Sequence, residues 1–171
     1  MPSTNINKRP LKVAGVRARA EARVNQTTTS AYQQLINSQE DYAPLLKSSW
    51  EYCYGRQPNP SETYIYGIRA VEAVSWRVIS PNNNKATLGT LIKDIKVQMQ
   101  SGKLVSAFND NQSIETVNTV ATLMERLWQS QTDRHATGNY VKPSQIEAEA
   151  AVHIALTLCH FFSSGLIVMK S

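Results

Sequence analysis

KPSQIEAEAAVHIALTLCHFF, residues 142–162, decides the fold. Ser144 stands three residues before Glu147, the spacing at which a serine and a glutamate cap a helix start reciprocally. From Ile146 onward Ala, Val, Ile, Leu and Phe fall on nearly every side of the helix that follows. A helix that is apolar all round needs other elements around it, so this segment predicts the central helix of a bundle. The uncharged run AAVHIALTLCHFFSSGLIVM (150–169) holds two histidines and several hydroxyl residues, which suits a buried helix with a tail better than a membrane span.

Upstream segments supply the partners. PSETYIYGIRAVEAVSWRVI (60–79) places Tyr64, Ile68, Val71, Ser75 and Val78 on one side, flanked by Ile65 and Trp76. Ser61 is the expected N-cap, and SPNNNK (80–85) the stop. Leu88, Leu91, Ile92, Ile95 and Met99 form a second helical stripe closed by Gly102. After a loop at FNDNQ (108–112), Ser113 is expected to cap a third helix. Its buried face is read as Ile114, Val117, Ala121, Met124 and Trp128, with Leu127 on the flank. Residues 30–54 read as two short helices or one kinked at Pro44, and YGRQPNPSE (54–62) as a loop. No stretch reads as a strand. The expected fold is all-α, a bundle of about five to six helices in a single domain over 29–171.

Residues 1–28 read as a basic N-terminal arm, partly disordered, with only marginal helicity over 12–24. Within residues 1–25, Lys8, Arg9, Lys12, Arg17, Arg19 and Arg23 face Glu21 alone. The rest of the chain holds 12 residues of each sign, so the whole formal charge of +5 resides in the arm. Such an arm has three readings: a contact to nucleic-acid phosphates, a solvated tail, since no aromatic residue interleaves the charges, or the basic, acid-poor start of an organelle transit peptide. Cys53 and Cys159 make no disulfide framework and read as buried thiols of a cytoplasmic protein. His153, Cys159 and His160 lack the spacing of a zinc site. Neither a metal nor a cofactor is expected.

The chemistry-bearing stretch is SQTDRHATGN (130–139). His135 titrates near neutrality, Arg134 suits a phosphate, and Asp133 suits orienting either of them. An arginine that stabilises a pentacovalent phosphate and a histidine that moves protons make a minimal kit for cutting RNA. The competing reading is a polar helix end. Arg and His there favour the dipole, and Gly138 and Asn139 serve chain reversal.

YGRQPNPSETY, KATLGTLI, LWQSQTDRH and EAEAAVHIALTLCHFF, in that order, resemble the C-terminal domain of bacterial abortive-infection-like proteins. That group is similar to the HEPN superfamily. The resemblance spans about residues 50–165. It implies a compact helical bundle, often a homodimer, in cytoplasmic proteins of phage defence, and in many members metal-independent RNA cleavage. The HEPN signature is an Arg, four to six residues, then a His. With His135 as that histidine, the Arg positions hold Trp128, Gln129 and Ser130, so the signature is not intact. Arg126 lies nine residues before His135, on the opposite side of an ideal helix. Arg134 is adjacent to it, and Ala136 stands where related sequences carry Gly. HEPN-like domains that do not cleave bind nucleotides, RNA or partner proteins.

The expected site residues are therefore His135, Arg134, Asp133 and Arg126 for chemistry, with Arg56 and the six arm cations for nucleic-acid binding. Arg56 is also a plain turn residue in the competing reading, and Lys85 an exposed one. His153 and His160 read as satisfied core or groove histidines, and Trp50, Trp76 and Trp128 as core or dimer interface rather than a stacking platform. Three function classes follow. The first is an RNA-engaging defence domain that cleaves in its catalytic form. The second is a noncatalytic interaction module with a protein or nucleic-acid partner, and the third a structural helical oligomer.

Overall fold

In a computed structural model, residues 26–108, 110–130 and 142–170 are described. Among them the chain forms six helices and one small antiparallel β-pair. The helices are α1 (Gln26–Ile36), α2 (Tyr42–Tyr54), α3 (Pro60–Ile79), α4 (Leu88–Gln100), α5 (Asp110–Gln129) and α6 (Gln145–Ser163). Strand β1 (Leu104–Ser106) lies between α4 and α5, and β2 (Ile167–Met169) follows α6. The all-α reading holds, with α1 starting at Gln26. The arm cations, Asp133, Arg134 and His135 lie outside the described residues.

Helices α3 and α6 form the centre. Gly67 of α3 lets the two come together: a Cβ there would stand 3.4 Å from Ala155 Cβ of α6 and 3.2 Å from Ser49 Oγ of α2. Ser49 donates to the Thr63 carbonyl at 2.8 Å, so the hydroxyl at this crowded crossing is satisfied rather than stranded. Around that contact one core gathers Leu46, Val71, Leu91, Ile95, Met124, Leu158 and Phe162, all buried. The capping box at Ser144 and Glu147 forms as the spacing predicts. Ser144 Oγ accepts from the Glu147 amide at 3.3 Å, and Glu147 Oε2 accepts from the Ser144 amide at 2.7 Å. The Ser144 amide and hydroxyl, both donating to Glu147 Oε2, hold the Glu147 carboxyl below its ordinary value.

Four local expectations are corrected. Helix α3 is capped by Asn59 rather than Ser61: the Asn59 Oδ1 accepts from the Glu62 amide at 3.3 Å, Pro60 takes the first helical position, and Ser61 lies inside the first turn. The break before α2 falls at residues 37–41, and Pro44 sits in the first turn of α2, where its missing N–H has no intrahelical acceptor to lose. Helix α5 begins at Asp110, inside the expected loop. Its Ser113 hydroxyl accepts the Ser106 amide of β1 at 2.8 Å instead of capping the helix. Val117, Ala121 and Met124 of α5 are buried as expected, but the face is edged round so that Val120 and Leu127 join them, Trp128 is half-buried and Ile114 is 63% exposed.

The β-pair is the element the sequence did not announce. Leu104 pairs with Met169, Val105 with Val168 and Ser106 with Ile167. Each strand follows a glycine in the left-handed region, Gly102 at φ 66° and Gly165 at φ 74°, which reverses the chain after α4 and α6. The expected stop at Gly102 is therefore also the turn into β1.

Candidate functional site

Four segments meet at one end of the bundle: the α2–α3 loop at 55–59, the start of α3, the last turn of α5 and the start of α6. Gln145 Nε2 donates to the Cys53 carbonyl at 2.8 Å, tying α6 to the end of α2. Tyr64 donates its phenol proton to the Glu147 carbonyl at 3.2 Å. Burial raises the Tyr64 pKa, opposed by a hydrogen bond with Ser130, the residue just after α5. The Asn59 amide donates to the Tyr52 carbonyl at 2.8 Å and folds the loop back onto α2. The starts of α3 and α6, the ends of α2 and α5 and the arginine loop thus share one end, and both helix starts carry side-chain caps of their own.

Arg56 is exposed in that loop, as a phosphate contact requires. The two described flanks of 131–141 belong to this same end, Ser130 at Tyr64 and Gln145 at Cys53, which lies three residues before Arg56 in the sequence. Arg126 is exposed in the last turn of α5, where its charge complements the helix dipole. Its neighbour Glu125 pairs with Lys96 at 2.5 Å. Lys85 is exposed in the α3–α4 loop.

The two histidines of α6 separate. His160 is exposed in the last turn. His153 is half-buried, its Nε2 2.9 Å from the Tyr54 hydroxyl and its ring edge-on to Trp50 at 6.1 Å. Trp50 in turn stacks on Tyr32 of α1 at 4.1 Å, so this aromatic column fastens α1 to α2 and α6. Burial pushes the His153 pKa down, with Glu149 opposing, and burial pushes the Tyr32 phenol up to about 12. Trp76 and Trp128 are half-buried against the core. Both cysteines are buried without a disulfide, and burial pushes the Cys159 thiol up, away from nucleophilic use.

The chain matches no protein-family model, no curated protein and no solved structure.

Sequence reasoning passed over one surface beside the Arg56 loop. Tyr52 of α2 and Tyr66 of α3 stack at 5.4 Å with their planes 22° apart. The exposed Arg69 guanidinium lies over the Tyr66 ring at 5.7 Å. The two tyrosines are fourteen residues apart on different helices, so no sequence periodicity links them.

At the other end, a cleft of about 340 Å³ is bordered by Ser80, Asn82, Asp94, Gln98 and Lys103. Its carboxylate already accepts the Ser80 hydroxyl at 2.5 Å, and Gln98 Nε2 bonds the Ile79 carbonyl. Among the described residues, no group of three or more His, Cys, Asp or Glu is placed to hold a metal, and no helix is long and apolar enough to cross a membrane.

Proposed function

We propose that this chain is an RNA-engaging helical module, with the basic arm supplying phosphate affinity and the Arg56 end of the bundle receiving the strand. The observation that carries this is the convergence of Arg56, two helix starts and both flanks of 131–141 at one end. Excess positive charge confined to residues 1–25 supports it, because the body is otherwise neutral. The likeness to abortive-infection C-terminal domains extends the proposal to a role in phage defence or a related stress response. Within it, His135 is the acid–base group and Arg134 the phosphate ligand of a metal-independent cut, and a homodimer is the working form.

The test is incubation of the full chain with single-stranded RNA in EDTA, read on a gel for both retention and cleavage. Retention by wild type, weakened by Arg56→Gln, is the expected result. Cleavage lost in both His135→Ala and Arg134→Ala assigns the chemistry to 130–139. Retention without cleavage makes the chain a binder, and absence of both removes the proposal.

A further inference from the structure

From the Tyr52–Tyr66–Arg69 surface we infer that this module selects unpaired over duplex RNA, by stacking nucleobases on that surface. The inference rests on the RNA reading above and gives it a substrate class. Both tyrosines are only half-buried, and Arg69 is exposed. Their rings are already near-parallel, so the stack is built before any ligand arrives. Tyr66 is held between Tyr52 and the Arg69 guanidinium. An added base therefore extends this stack at its ends, over the outer face of Tyr52 or over the planar cation, the groups that single-strand binders use without reading sequence. Bases in a duplex are stacked on one another and present no face to such a platform.

The position suits a strand arriving at the Arg56 end. Tyr52 lies four residues before Arg56, and its carbonyl holds Asn59 of the same loop. A backbone crossing Arg56 therefore carries its bases toward Tyr52 and Tyr66. Glu51, next to Tyr52, pairs with Lys47 at 4.0 Å, and Glu62 stands one turn before Tyr66.

The full chain would be titrated with an oligouridylate of about 20 nucleotides and with an RNA duplex of the same length, at one salt concentration. Wild type is expected to bind the single strand roughly tenfold more tightly than the duplex, the contribution of a single good stack. Tyr66→Leu keeps the apolar packing and removes the π-face, and is expected to abolish that preference with duplex affinity unchanged. Tyr66→Phe is expected to restore it. Arg69→Gln, a change at an exposed position, is expected to reduce it, which guards against a folding defect in Tyr66→Leu. Equal affinity for the two RNAs, or a preference that survives Tyr66→Leu, overturns the platform and leaves the RNA reading standing. Failure to bind either RNA overturns both.

Discussion

At the scale of single residues, burial decides which titratable groups matter. His153 was legible only as one of two α6 histidines. Its partner Tyr54 is 99 positions away, and no local pattern connects them. Burial lowers its pKa below the ordinary 6.5, with Glu149 opposing. The unfolded chain therefore takes up this proton first as pH falls. The stability associated with neutral His153 is complete above 6.5 and declines as pH drops from 6.5 toward the lowered folded value. Denaturant midpoints at pH 7.5 and 5.5 are expected to differ more in wild type than in His153→Gln. An equal difference in the two proteins would detach the histidine from the acid sensitivity of the fold.

At the scale of elements, helices with strong periodicity were legible and contacts between them were not. Leu88, Leu91, Ile92 and Ile95 occupy buried positions as their spacing predicts. The rotation of α5 was not legible, because Ser113 is drawn toward the Ser106 amide by a strand that three residues cannot announce. The same holds for the α4–α5 contact. A Cβ on Gly89 would stand 2.7 Å from the Trp128 ring, although nothing near Gly89 in the sequence marks it as a packing glycine. Alanine is the better helix former by about 1 kcal/mol. Overpacking of about 1–3 kcal/mol against the indole opposes that gain. Gly89→Ala is expected to lower stability by roughly 1 kcal/mol net. Adding Trp128→Leu is expected to remove the clash, so the alanine change then becomes neutral or favourable. Chemical denaturation of the single and double variants checks the sign.

At the scale of the whole molecule, the bundle followed from the apolar girth of residues 142–162, since a helix without a polar face needs neighbours on every side. The end proposed to receive RNA was legible in part: Arg56 had two readings in a proline-rich loop, and the described flanks of 131–141 belong to the same end. The tyrosine platform was illegible because folding alone brings positions 52 and 66 together. Charge is the feature of the sequence that bears most directly on the proposed function, with six cations ahead of a neutral body.

That asymmetry gives the most direct measurement: the affinity of the full chain for a single-stranded RNA across a salt series. Six arm cations together with the Arg56 end on phosphates predict that log K falls against log salt with a slope of about −5. Replacing Lys8, Arg9, Lys12, Arg17, Arg19 and Arg23 by Gln is expected to flatten it to about −1, the residue left by the Arg56 end. Undetectable binding at low salt, or a steep slope that survives the six replacements, would contradict the account.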